Sequence, residues 1–295
     1  MYLQHKFKMQ IKLPSPLIRI LFVLIASIAG SSFYAATVSL EPSKDNTIFS
    51  ISTDESNGLG RYLFVGTTKE PSLRRSLIQF DLSGSVPQGA TIESATLTLQ
   101  MNKSIVGAMQ INLHKLTRDW GEGTSNASGQ EGKGASASSG DATWLRAFYP
   151  DDGWSSGGDF LSTVSASQSV GGPGSYSWTG AGLVNDLQNW ANNPSANFGW
   201  ILIGPESETS AKRFDSLQAT TASNRPMLSI TYSESAQTWA GYAVSPDGRS
   251  VDTESFLGWI DVETAPWIYV YAIDGYMYLP EESVGDAGGW SYTLK

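Results

Sequence analysis

Ala95-Thr96-Leu97-Thr98-Leu99-Gln100-Met101 carries apolar residues on alternate positions. Successive side chains of an extended strand point to opposite faces, so Ala95, Leu97, Leu99 and Met101 face a core while Thr96, Thr98 and Gln100 face water. The same period runs through Ile111-Asn112-Leu113-His114 and through Met227-Leu228-Ser229-Ile230-Thr231-Tyr232, and His114 falls on the solvent side of it. Short strands of this kind, separated by Gly, Ser, Pro and Asn clusters, predict an all-β fold, an antiparallel β-sandwich, over residues 37–233. One segment breaks the period. Leu183, Val184, Leu187, Trp190 and Ala191 recur at helical spacing until Asn192-Asn193-Pro194 stops the run. This predicts one short helix closing an open end of the sandwich, with Trp190 as a core anchor.

The segment 1–36 reads as a secretory signal peptide. His5, Lys6, Lys8 and Lys12 precede an apolar stretch at residues 17–29, and small residues follow through Ala36. Crossing a bilayer takes about 20 apolar residues, more than this run supplies. Cleavage between Ser31 and Ala36 is therefore expected, leaving no membrane span and a secreted protein, extracellular or held at the cell surface. Loss of Lys6, Lys8, Lys12 and Arg19 takes the formal charge from −9 to −13. Nucleic acid is excluded as a partner, because no Lys/Arg stripe is present to neutralise phosphates. With no cysteine, disulfides, thiolate metal sites and a cysteine nucleophile are excluded too.

Composition shifts at residues 234–237, read as a linker. Beyond it, residues 238–295 are rich in Trp and Tyr. Trp267-Ile268-Tyr269-Val270-Tyr271, Ile273-Asp274-Gly275 and Tyr276-Met277-Tyr278-Leu279-Pro280 predict a β-hairpin turning at Asp-Gly. The segment is expected to be a small C-terminal β-hairpin or meander module whose aromatic cross-strand pairs compensate for a small core.

The chemistry of catalysis is poorly represented. A serine triad needs a histidine, and only His114 survives removal of the leader. No His-Glu-x-x-His motif occurs, and Lys133 is followed by Gly134 where a phosphate loop needs Ser or Thr. Glu122, Glu131, Asp141, Asp151 and Asp152 sit in soft, Gly-rich sequence, whereas a catalytic carboxylate pair must be held within about 0.5 Å. A non-enzymatic protein is expected. For calcium, Asp45 and Asn46 after the first predicted strand are the best oxygen ligands, an Asx turn being the other reading, and no Asp-x-Asp-x-Asp-Gly loop is present.

Residues 121–140 are nearly all Gly, Ser, Ala and small polar residues, which predicts a long, mobile surface loop. Trp120 stands at its entrance, and Trp144, Tyr149 and Trp154 follow it, interspersed with Arg118 and Arg146. Sugar rings pack flat C–H faces on such aromatics while charged neighbours bond the hydroxyls. Arg118, Trp120, Trp144, Arg146, Tyr149 and Trp154 are therefore the candidate ligand-binding residues. The other reading of the four aromatics is a seal over the end of the sandwich.

Several stretches in combination carry a family resemblance: Asp45 after a first strand, Arg74-Arg75-Ser76-Leu77-Ile78-Gln79-Phe80-Asp81-Leu82, Pro87-Gln88-Gly89-Ala90-Thr91-Ile92-Glu93-Ser94-Ala95-Thr96-Leu97, Asp119-Trp120-Gly121-Glu122-Gly123, Phe198-Gly199-Trp200-Ile201-Leu202-Ile203-Gly204, and residues 212–232. Residues 37–232 thereby resemble the DNRLRE-domain family of secreted bacterial and archaeal modules, which includes carbohydrate-binding module family 96. The resemblance implies a jelly-roll-like sandwich that binds polysaccharide, with alginate-type acidic glycans among the family's ligands. A uronate polymer suits a basic groove, and the acidity of the mature chain counts against one. Only Arg74, Arg75, Arg118, Arg146, Lys212 and Arg213 are available to build it. The basic residues of the 74–82 and 212–216 segments are instead expected to pair with Asp81, Asp215 or neighbouring acids as scaffold, as is Arg225. The last sixty residues resemble a short module ending secreted proteins of some marine bacteria, from which no function carries over. The expectation is a non-catalytic polysaccharide-binding protein; the alternative is a structural or adhesive component of a cell surface or matrix that binds protein partners.

Overall fold

The computed structural model describes residues 3–6, 33–235, 237–245, 247–284 and 290–293. The apolar stretch read as the heart of a signal peptide lies outside them. Among the described residues no helix is long and apolar enough to cross a membrane. The chain divides into two compact units, Ala35–Glu234 and Ser235–Lys295 with Met1–Tyr34.

The first unit contains β1 (Phe33–Leu40), β2 (Lys44–Phe49), β3 (Tyr62–Thr67), β4 (Leu73–Gln79), β5 (Thr91–Ser104), β6 (Met109–Leu116), β7 (Phe160–Val170), β8 (Gly174–Thr179), α1 (Ala181–Asn192), β9 (Trp200–Ile203), β10 (Lys212–Asp215) and β11 (Met227–Ser235). The strands follow one path, β7-β6-β9-β4-β3-β10-β5-β11-β1, with β2 beside β4 and β8 beside β5. β3 and β4 pair only at Gly66–Arg74 and Thr67–Leu73. That corner folds the path into two antiparallel layers, and the result is an all-β sandwich.

Ala95, Leu97, Leu99 and Met101 are all buried on β5, as the alternation predicts. They meet Leu63, Val65, Ile78, Phe214, Leu228 and Ile230 in the main core. α1 closes it with Leu183, Leu187 and Trp190, the last against Trp200 at 4.6 Å between ring centres. Asp186 on the same helix accepts from Trp200 Nε1 at 2.8 Å, so the indole is satisfied where water is absent.

β9 departs from alternation, since Trp200, Ile201 and Leu202 are all fully buried. Trp200 and Leu202 face the main core, while Ile201 faces a second cluster with Ile48, Leu77, Leu116, Trp120, Ala142 and Trp144. The layer holding β4, β6 and β9 is thus covered on both faces. This corrects the reading of His114, which is buried against Phe160 with Nδ1 3.0 Å from the Leu161 carbonyl.

The second unit carries β12 (Thr238–Trp239), β13 (Tyr242–Ala243), β14 (Ser250–Asp252), β15 (Trp259–Asp261), β16 (Trp267–Val270), β17 (Gly275–Tyr278) and β18 (Trp290–Thr293). A meander runs from β14 to β18, and Leu3–Lys6 pairs outside β18. Val251, Ile260, Ile268, Val270 and Met277 form its core. Asp274, at φ 50, and Gly275 turn the hairpin. Across it, Trp267 meets Tyr278 at 5.1 Å and Tyr269 meets Tyr276 at 5.2 Å, both edge-to-face.

Truncating Leu99→Ala should remove about 2–5 kcal/mol from unfolding, and Trp120→Ala about 3–5 kcal/mol. Urea midpoints check both; a change within about 0.5 kcal/mol, normal for a surface site, would contradict the burial of either side chain.

Candidate functional site

The structure does not assemble the expected aromatics into an open platform. Trp120 is fully buried, its Nε1 donating to the Phe198 carbonyl at 2.9 Å and its ring lying under the Lys44 ammonium at 4.4 Å. Trp144 is buried as well, donating to Ser156 Oγ and capped by the Arg75 guanidinium at 4.9 Å. Neither ring offers a face to a sugar, because both are spent covering Ile201 and Leu77. Trp154 packs against the same cluster, half-buried, with Nε1 on the Thr143 carbonyl. Tyr149 is half-buried. Arg118 binds Asp152 at 2.6 Å and the Gly153 carbonyl at 2.9 Å, while Arg146 binds the Pro150 carbonyl at 2.8 Å.

The 121–140 segment is tied down more than its composition predicts. Asp141, fully buried, accepts from the Ser138 and Ser125 amides at 2.6 and 3.3 Å. Glu131, also buried, accepts from the Tyr62 amide and Arg61. Gly123 adopts φ +70, and a Cβ there would stand 1.5 Å from Asp141 Oδ1. Buried acceptors here do the ordering that apolar side chains do elsewhere.

That segment walls a groove of about 160 Å3 across β3, β10 and β5, lined by Phe64, Arg74, Lys103, Gln130, Lys212 and Arg213 among others. The strand period builds it. Phe214 points into the core, so Arg213 points out, opposite Phe64 on β3 and Lys103 on β5. Arg213 lies 3.8 Å over the Tyr62 ring, with Nε on Asn102 Oδ1 at 2.6 Å and Nη1 on Gln130 Oε1 at 3.0 Å. Lys103 Nζ reaches the same Gln130 oxygen at 3.1 Å. Arg74 binds the Gly132 carbonyl. Lys212 is buried behind, held by Ser104 Oγ at 2.7 Å and the carbonyls of Val106, Gly107 and Gly171. Burial holds Arg74 and Lys212 below their ordinary ranges, for Arg74 against the opposing pull of Glu55.

Among the described residues none of these four cations has a carboxylate ion-pair partner, whereas Arg75 pairs with Glu206 and Arg225 with Glu41. The expected scaffold pairing with Asp81 and Asp215 does not form. Asp81 turns to Ser83, and Asp215 takes its hydrogen bond from Asn102 at 2.7 Å. Lys103 was not singled out by sequence, because what places it beside Arg213 is register between strands about 110 residues apart.

Asp45 and Asn46 are both buried. The Asn46 amide is used up: Nδ2 donates to Ser56 Oγ and the Glu122 carbonyl, and Oδ1 accepts from the Thr47 and Asn57 amides. It has nothing left for a metal, which corrects its assignment as a ligand. Asp45 Oδ2 accepts from the Leu217 amide at 2.7 Å, but Oδ1 is buried without a partner. Burial pushes this carboxyl up to about 8, with the Leu217 bond opposing and the Glu122 charge adding. Among the described residues no group of three or more His, Cys, Asp or Glu is placed to hold a metal.

A search of curated proteins finds no match. Residues 36–150 match the sequence model of carbohydrate-binding module family 96. The matched stretch includes Arg74, Lys103 and Gln130 of the groove and ends before β10 brings in Lys212 and Arg213. Over those residues the chain carries a domain similar to carbohydrate-binding module family 96.

Proposed function

We propose that the chain is a secreted, non-catalytic carbohydrate-binding protein that takes an acidic, uronate-type polysaccharide in the groove of Arg74, Lys103 and Arg213. The observation that carries this reading is that three cations converge there without a carboxylate partner, in a chain of formal charge −9. Unpaired guanidinium and ammonium groups in a concavity favour carboxylate ligands. Arg213 keeps Nη2 free of any partner among the described residues, and its other nitrogens are fixed by Asn102 and Gln130, so a sugar carboxylate meets a pre-oriented donor. Phe64 and the ring of Tyr62 supply apolar surface beside it. The matched family supports a carbohydrate as the ligand, and the leader-like first segment supports export. Asp141 spends its carboxylate oxygens on the Ser125 and Ser138 amides, and Glu131 accepts from the Tyr62 amide and Arg61, which suits a binding module rather than a hydrolase.

In affinity gels, alginate should retard the wild-type protein, and a neutral glucan should not. Arg213→Ala and Lys103→Ala should each weaken retardation roughly 3- to 10-fold, since a charge-assisted hydrogen bond is worth about 1.5–3 kcal/mol before solvent screening. Unchanged retardation in both variants sinks the groove. Loss of binding only in Trp154→Ala would move the site to the Trp154 surface, and no retardation by any glycan would end the carbohydrate reading.

The interaction should also fade with salt. Raising NaCl from about 0.05 to 0.5 M shortens the screening length severalfold, so a dissociation constant that stays flat across that range would exclude charge as the basis of recognition.

A further inference from the structure

We propose that Asp45, Glu122 and Gln218 form a calcium site that fastens the 121–140 segment to the scaffold. The three come from β2, from the 121–140 segment and from the turn after β10, and hydrogen bonds draw them together. The Asp45 amide donates to Glu122 Oε1 at 3.1 Å, Gln218 Nε2 donates to the same oxygen at 3.3 Å, and the Leu217 amide donates to Asp45 Oδ2 at 2.7 Å. These donors are spent on Asp45 Oδ2 and Glu122 Oε1. Asp45 Oδ1 and Gln218 Oε1 remain buried with no partner, and Asp45 itself is 1 % exposed.

Two orphaned oxygens beside a second carboxylate make a donor-poor, acceptor-rich site. Left so, each buried acceptor carries an uncompensated desolvation penalty. A divalent cation removes it, because two carboxylates balance its charge and the amide oxygen adds a neutral hard ligand. Lys44, next to Asp45 in the chain, is itself committed to Asp119 and the Trp120 carbonyl. Calcium suits the site better than magnesium, since ligands from three segments offer irregular geometry, which calcium accepts and magnesium does not. Glu122 is half-buried, so solvent can reach the ion and complete its shell.

The test uses the full chain freed of metal with a chelator. Titration calorimetry with CaCl2 should show one ion per chain with a dissociation constant on the order of 10⁻⁴–10⁻³ M, the range of extracellular modules. Melting in about 5 mM CaCl2 should come several degrees above melting in 5 mM MgCl2. Asp45→Asn keeps the shape, so it should leave the metal-free melting temperature no lower than wild type while weakening calcium binding at least 10-fold. Glu122→Gln should weaken it similarly and decides the matter where Asp45→Asn does not fold; Asp151→Asn, an exposed acid elsewhere, should bind like wild type. No heat together with equal melting in the two salts overturns the proposal, as does calcium binding that survives both site substitutions.

Discussion

The layer of β4, β6 and β9 is apolar on both faces, and the chain must cover the outer one. Ile48, Leu77, Leu116 and Ile201 would otherwise stand in water, at a cost of about 1.5–3 kcal/mol for each large side chain. The chain meets this with Trp120, Ala142 and Trp144, set in a segment otherwise too polar to collapse. Its backbone and turns are therefore held by buried polar side chains: Asn46 from the scaffold donates to the Glu122 carbonyl, while Asp141 and Glu131 accept from the Ser138 and Tyr62 amides. The cover in turn supplies Gln130 and the Gly132 carbonyl, which fix Lys103, Arg213 and Arg74 along the groove. The groove thus depends on the cover, and the cover on the apolar outer face.

What was legible in the sequence follows from this. Ala95 to Met101 could be read because one face of β5 is wet, which is the condition alternation assumes. The helix at Ala181–Asn192 and the Asp274-Gly275 turn were readable for the same reason, being local patterns with one geometric solution. Burial of His114, Trp120 and Trp144 was not readable from alternation, since a second covered face converts solvent positions into core. A signal was present: Trp200-Ile201-Leu202-Ile203 is a continuous apolar run, the mark of a strand buried on both sides. The meeting of Arg213 with Lys103 left no local trace at all, because it is fixed by pairing across strands.

An acidic chain and an acidic ligand are compatible once distance is considered. Charge acts over about 8 Å at physiological ionic strength, so net charge governs approach from afar and the groove governs contact. Behind the groove Lys212 adds a positive charge that carbonyl oxygens hold without neutralising. The acids nearest by interaction, Glu55 and Asp215, act on Arg74 and Arg213 across space and form no ion pair with them.

The tryptophans and tyrosines are abundant, yet in the first unit most of the tryptophans are already employed. Trp178, Trp190 and Trp200 fill the main core, and Trp120 and Trp144 fill the outer cover. In the second unit the cross-strand pairs meet edge-to-face at 67° and 69°, a geometry that stabilises a small sheet but does not present the coplanar rings on which a flat polysaccharide lies. Among the described residues of the first unit, aromatic stacking therefore has few free faces, whereas four cations without a carboxylate partner gather at one groove; the exposed rings Trp259, Tyr271 and Tyr276 belong to the second unit. The proposed recognition therefore begins with the charges that the fold of the first unit leaves without an ion-pair partner.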